Sequence, residues 1–346
     1  MKSRSSILST VPAGGRNITD PFGCSRRAGH KYKRSMNLTG KPWDVSQDEV
    51  PAEVHVPRGM VGPEERRCFY WLAKYGLMGK GAIVDAGSFV GASTFCLASG
   101  AVAGGNLLNG TPTVHAYDFF QANDAYVVEW IKKNFRPIEK GGSYLDIFQQ
   151  QMAKYIDIVE AHPGDFAGQK WNGGNIQLLF VDVAKKPQLN AHLIGEFFPN
   201  LVPGESILIH QDYYHCWHPY IHYSIEYFGD AFEVIDELVL HQSRVWRLVK
   251  PLPEEKIARL STGGLDERER MALLNRVVER ASPECLPMME VTRLWQRCLD
   301  KDYAGTKTAF EALDEKYGYQ KRYEIWAKQA LAVNRYCEKK IDERHR

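Results

Sequence analysis

The sequence predicts an α/β fold: a doubly wound, mostly parallel sheet closed by an antiparallel terminal hairpin and followed by a helical C-terminal extension. Three observations carry this. From residue 82 to about 210, short apolar runs alternate with amphipathic stretches, the pattern of successive β/α units. Residues 176–181 (IQLLFV) are almost wholly apolar, as a central strand covered on both faces must be. Beyond Pro251 the apolar spacing becomes helical.

The elements follow in order. Residues 1–50 are rich in Ser, Gly, Arg and Lys without a sustained period and read as a basic, partly disordered tail. Residues 51–250 read as the α/β domain and 251–346 as the helical extension. Pro63-Glu-Glu-Arg-Arg suits a first helical turn, with Phe69, Leu72, Ala73 and Leu77 as its apolar face. Ala82, Ile83 and Val84 form a strand, Gly87 turns the chain, and Gly91 to Thr94 open a helix. Residues 113–117 make a second strand ending at Asp118. Helices are expected over 125–135 and 144–155, then a short strand over 156–161 running into His162-Pro-Gly-Asp165. The strand 176–181 ends at Asp182. A helix then places Leu189, Leu193, Phe197 and Leu201 on one face until Pro203-Gly204 stops it. Residues 206–209 lead to His210-Gln211-Asp212-Tyr213, a His/Tyr/Trp-rich helix follows, and 231–240 with 244–249 form the hairpin. In the extension, Val291, Leu294, Trp295, Cys298 and Leu299 share a face. A second stripe runs through Tyr319, Tyr323, Trp326, Ala330, Val333 and Cys337. It can pack on the domain or build a homo-oligomer; intramolecular packing is the default.

Composition narrows the classes. With 346 residues, 25% charged and 44% hydrophobic, the chain has room for one sizeable globular domain with appendages. A net charge of +2 argues against nucleic acid as the main partner, and Arg26, Arg27, Lys31, Lys33 and Arg34 read as a solvated stretch of the tail. No apolar run approaches a membrane span, and MKSRSSILST lacks the apolar core of a secretory signal. The expectation is a soluble, cytoplasmic protein with no membrane partner. Seven cysteines (Cys24, Cys68, Cys96, Cys216, Cys285, Cys298 and Cys337), with no C-x-x-C pair, predict reduced, mostly buried thiols.

The turn after the first strand sits where open α/β sheets bind ligands. Gly87 and Gly91 flank Ser88, Phe89 and Val90 with no glycine between, so the G-x-G-x-x-G spacing of a dinucleotide site is missing and an NAD-dependent oxidoreductase is disfavoured. Asp85 before that single-glycine turn, Asp118 after the second strand, Gly164-Asp165-Phe166 after the third, and the closing hairpin together resemble a class I S-adenosylmethionine-dependent methyltransferase. The resemblance runs from about residue 63 to 250 and is greatest to the macrocin O-methyltransferase-like branch.

The resemblance implies a Rossmann-like seven-stranded sheet and S-adenosylmethionine as cofactor. Its methionine part would be held by Asp85, Gly87, Ser88, Phe89, Gly91 and Ser93, and its ribose hydroxyls by Asp118, whose carboxylate offers two acceptor oxygens. Asp165 would receive the adenine amino group, with Phe166 stacking on the ring. It also implies a divalent cation, Mg²⁺, between acids after the fourth and fifth strands. The chain keeps Asp182 and Asp212 as metal ligands but follows Asp182 with Val183, Ala184 and Lys185 where an Asp-x-Asp-type signature is usual, and has Gln211 before Asp212.

His210, His215, His218 and His222 crowd the same region, and in a helical segment the last three would share one face. Methyl transfer needs an aligned acceptor and removal of its proton. The catalytic candidates are therefore Asp182 and Asp212, orienting an acceptor hydroxyl directly or through the metal, with His215 or His210 as base. The expected reaction is methylation of a small, sugar-like or natural-product acceptor. The alternative, a methyltransferase-like protein that binds cofactor or partners without catalysis, draws on the lost second acid and on Gln211.

Overall fold

The computed structural model describes residues 40–344, apart from 46, 78–79, 239–241 and 323. Arg26, Arg27, Lys31, Lys33, Arg34 and Cys24 lie outside the described residues, as does Tyr323. Strands β1 (Ala82–Ala86), β2 (Val114–Asp118), β3 (Val159–Pro163), β4 (Ile176–Val181), β5 (Ile207–His210), β6 (Phe232–Leu238) and β7 (Ser243–Leu248) form one sheet. Their order is β3-β2-β1-β4-β5-β7-β6. All pairings from β3 to β5 are parallel, and β7 runs antiparallel to both β5 and β6. The expected doubly wound sheet with a reversed terminal strand is therefore present.

Alternation along the strands divides the core in two. Ile83, Val114, Ala116, Leu178, Phe180, Ile207 and Val245 face one apolar layer, formed with α2 (Pro63–Trp71), α3 (Ala92–Gly104), α4 (Ala125–Asn134) and α5 (Leu145–Gln151). Val84, Tyr117, Leu179, Leu208 and Trp246 face the other, under α6 (Pro187–Glu196), α7 (Pro219–Phe228) and α8 (Glu254–Ser261). A third apolar cluster joins α10 (Leu286–Leu299), α11 (Tyr303–Tyr317) and α12 (Ile325–Arg344), while α9 (Glu267–Arg280) lies against α7. Trp217 meets Trp295 edge to face at 4.9 Å, so the extension packs on the domain, as expected by default.

Several expectations need correction. Within residues 1–50, read as a partly disordered tail, the short helix α1 (Pro42–Val45) buries Trp43 completely against Trp71, with Asp44 bound to Arg67. The helix expected over 144–155 breaks after Gln151 into a 3₁₀ stretch, and the third strand starts only at Val159. The His-rich segment after β5 is a series of turns. Its helix cannot begin before Pro219, because the proline ring keeps His218 out of the helical region, at φ −120° and ψ 53°. Cys298 and Cys337 form a disulfide between α10 and α12, whose Cα atoms come within 6.6 Å, whereas Cys68, Cys96, Cys216 and Cys285 are free and buried as expected. Among the described residues, no helix is long and apolar enough to cross a membrane.

Candidate active site

The carboxyl ends of β2, β1, β4 and β5 stand side by side and carry Asp118, the Gly87 turn, Asp182 and Asp212 in a row. Three non-glycine residues there hold left-handed backbone: Phe89 (φ 49°) after β1, Phe120 (φ 52°) after β2, and Asp212 (φ 59°) after β5. Such conformations persist only where the surroundings enforce them, and they gather at binding edges.

The glycine turn is built by close approach. Gly87 has φ +104°, and a Cβ there would lie 2.8 Å from the Asp182 carbonyl carbon. Gly91, at φ +97°, caps α3, and a Cβ on it would strike Phe148 and Met152 at 2.9 Å. Asp85, fully buried, accepts from Ser93 Oγ at 2.8 Å and Thr94 Oγ1 at 2.6 Å through Oδ2. Ser93 is thereby committed to Asp85 rather than to a ligand. Burial pushes the Asp85 carboxyl up to about 7. Its Oδ1 and the Ser88 Oγ are buried without a protein partner, which suits a polar ligand over the turn.

Asp118 is more occupied than the two-hydroxyl role requires. Its Oδ2 accepts from the Phe89 amide at 2.9 Å, and its Oδ1 from the Phe120 amide at 2.9 Å and the Tyr144 hydroxyl at 2.6 Å. Burial nonetheless raises its pKa, against those hydrogen bonds. A ribose hydroxyl would compete with Tyr144, a partner the sequence pattern does not reveal. Phe89 contributes its amide, while its ring lies edge-on to Trp130 and Tyr144 at 4.9 and 5.3 Å. Asp165 is exposed and caps its own turn by accepting from the Ala167 amide. Phe166 does not project to stack on adenine: it is 2% exposed and stacked on Phe197 at 5.1 Å. The exposed aromatic beside Asp118 is Phe119, unsuspected from sequence because it follows the motif acid.

At the far end of the row, the Lys185 ammonium bridges Asp182 and Asp212. These are the oxygens assigned to Mg²⁺, so the donor set as folded suits a cation it already contains; a metal would have to displace the lysine. Burial pushes Asp182 up to about 6, opposed by Lys185. Burial also acts upward on Asp212, but Lys185 more than offsets it and holds that carboxyl below its ordinary value. For Lys185 the order is reversed: desolvation acts downward, and the two acids carry it well above the usual lysine range.

The histidines separate into distinct roles. His210 is 2% exposed, with Nδ1 at 2.8 Å from the Gln211 carbonyl and Nε2 unpartnered; burial pushes it down to about 4, leaving a weak base. His215 is half-buried beside Asp212, which opposes the downward effect of burial. His218 stacks on His215 at 5.4 Å and meets the Tyr220 hydroxyl at 2.7 Å. His222 is fully buried against Tyr213 and takes no part in the edge.

An open α/β sheet with a tight glycine turn after its first strand and acids after its neighbours has the arrangement in which such sheets hold small ligands, at the carboxyl edge. No protein-family model matches the chain, and no curated protein matches it. Among solved structures it is similar to a methyltransferase from Geobacter sulfurreducens, at 16% identity over 60% of this chain and 89% of that one, with a TM-score of 0.35. It is also similar to an O-methyltransferase from Bacillus cereus in complex with SAH (15%, 63% and 92%, TM-score 0.38) and to the CcbJ methyltransferase from Streptomyces caelestis (12%, 65% and 86%, TM-score 0.31). These are distant likenesses of fold, and the functional reading rests on the residues of the edge itself.

Proposed function

We propose that the chain is an S-adenosylmethionine-dependent O-methyltransferase for a small hydroxylated acceptor, with Lys185 in place of a divalent metal. The observation that carries this reading is the row along the sheet edge: a tight turn with orphaned polar atoms at Ser88 and Asp85, Asp118 on one side of it and the Asp182–Lys185–Asp212 bridge on the other. The unpartnered atoms fit the polar amino-acid end of the cofactor, and the remaining acceptor capacity of Asp118 fits a ribose hydroxyl. When bound, the cofactor would supply an electrophilic methyl group carried on a positively charged sulfur.

The protein's part is alignment and proton removal. Asp212 keeps Oδ1 free of Lys185 and accepts the acceptor's hydroxyl. The ammonium uses two of its three donors on the acids, and the third supports negative charge growing on the acceptor oxygen. His215, beside Asp212 and less buried than His210, takes the proton. Asp182 holds Lys185 in place.

Mass analysis of purified full-length protein for retained S-adenosylhomocysteine, followed by methyl transfer from labelled cofactor to a panel of sugars and polyols, tests the reading. Asp212→Asn is expected to abolish turnover while cofactor binding is kept; an unchanged rate removes Asp212 from the chemistry. The Lys185 bridge equally supports a cofactor-binding protein without catalysis. Binding with no transfer to any acceptor on the panel favours that second reading.

A further inference from the structure

Strands β2 and β3 bring three metal-ligating side chains together. We propose that His115, Glu160 and His162 form a site for one divalent transition-metal ion of the zinc class, clasping the edge strand β3 to β2. The parallel register sets His115 opposite Glu160 and Tyr117 opposite His162, so all four project on one face of the sheet. His115 Nδ1 lies 3.0 Å from His162 Nε2 and 3.4 Å from Glu160 Oε2, and His162 Nε2 lies 3.9 Å from that same oxygen. The point equidistant from three atoms so spaced is about 2.0 Å from each, the bond length zinc makes to imidazole nitrogen and carboxylate oxygen. Two imidazoles and a carboxylate also select this class of ion over Mg²⁺, which prefers oxygen alone.

Aromatic neighbours pack against both rings, whose centroids lie 5.3 Å apart. Trp171 meets His115 edge-on at 4.9 Å, and Tyr117 stacks on His162 at 4.3 Å with 10° between the planes. A hydrogen bond to the Pro112 backbone orients the His115 ring, as outer partners orient metal-binding histidines. Glu160, 49% exposed at its side chain, opens the entry path and leaves a fourth position to water. The metal would take the place of the N–H now lying between the rings, with the displaced proton carried on the far nitrogen of that histidine.

The test uses full-length protein stripped with EDTA and titrated with ZnCl₂ by calorimetry and with CoCl₂ by visible absorption. One equivalent of zinc should bind, and the cobalt form should show the d–d bands of a tetrahedral nitrogen and oxygen site without thiolate charge transfer. His162→Ala should weaken zinc at least about 10-fold. Glu160→Gln changes an exposed side chain and should leave the metal-free melting temperature unaltered while weakening zinc severalfold. Absence of stoichiometric binding, zinc affinity unchanged in both variants, or a cobalt–thiolate band would overturn the proposal.

Discussion

Lys185→Met removes the ammonium that Asp182 and Asp212 share while keeping most of the side chain's length. Even with the lysine present, Asp182 stands at about 6 against 3.8, a cost of up to about 3 kcal/mol at neutral pH. Removing one partner of a fully buried pair costs about 3–5 kcal/mol, whereas exposed pairs contribute about 0–1 kcal/mol. Here the acids are 31% and 23% exposed and the lysine 45%. Solvent screening therefore brings the expected loss to about 2 kcal/mol at pH 8. The loss depends on pH in a defined direction. Without the ammonium, Asp182 moves further above its unfolded value, so its contribution is whole below about pH 4 and disappears as pH rises through the folded pKa. Asp212, held low in the native protein, stabilises above its unfolded pKa, and that gain is also lost in the variant. Urea unfolding followed by tryptophan fluorescence should show a partial deficit at pH 5, from Asp212, and a larger one at pH 8, where Asp182 adds to it. Two acids without their ammonium also become a cation site, so millimolar Mg²⁺ should raise the melting temperature of the variant and not of the native protein. Equal deficits at both pH values, or equal magnesium stabilisation of both proteins, would refute this account of the bridge.

Other outcomes follow from the same geometry. Asp118→Ala removes the acceptor at the end of β2 and should weaken S-adenosylhomocysteine at least about 10-fold by calorimetry, the loss of a charge-assisted hydrogen bond. Asp85→Asn mimics the protonated acid. Because the native carboxyl is raised from 3.8 to about 7 by burial, the wild type should lose up to about 4 kcal/mol between pH 4 and pH 8 that the variant retains, measured by denaturant titration across that range. Cys337→Ser opens a crosslink spanning 39 residues and should cost about 4 kcal/mol on the chain-entropy account, with added thiol destabilising the wild type but not the variant. Trp43→Ala empties a fully buried site and should cost about 3–5 kcal/mol in urea unfolding, which a solvated tail would not.

The strands were legible because burial on both faces leaves an unbroken apolar run, as in Ile176–Val181, and because each run ends in a turn residue or an acid. At the candidate site only positions along the backbone were legible: Gly87, Asp118, Asp182 and Asp212 stand at the expected strand ends. Roles that depend on where a side chain reaches were not. Phe166 follows its motif acid as expected, but its ring turns inward to Phe197. Lys185 reads as a departure from a pattern, and only folding shows it lying between two acids. The same limit hid Tyr144, which reaches Asp118 across 26 residues, and the pairing of Cys298 with Cys337, whose spacing matches no motif. The helical reading of His215 and His218 failed on one residue, Pro219, whose effect on its predecessor outweighs a three-and-four spacing.

The contact between Gly87 and the Asp182 backbone has a mechanical consequence. Since not even a methyl group fits between them, the loop after β1 and the loop after β4 share a wall. A side chain at position 87 would therefore disturb the Asp182 end of the lysine clasp as well as the turn itself.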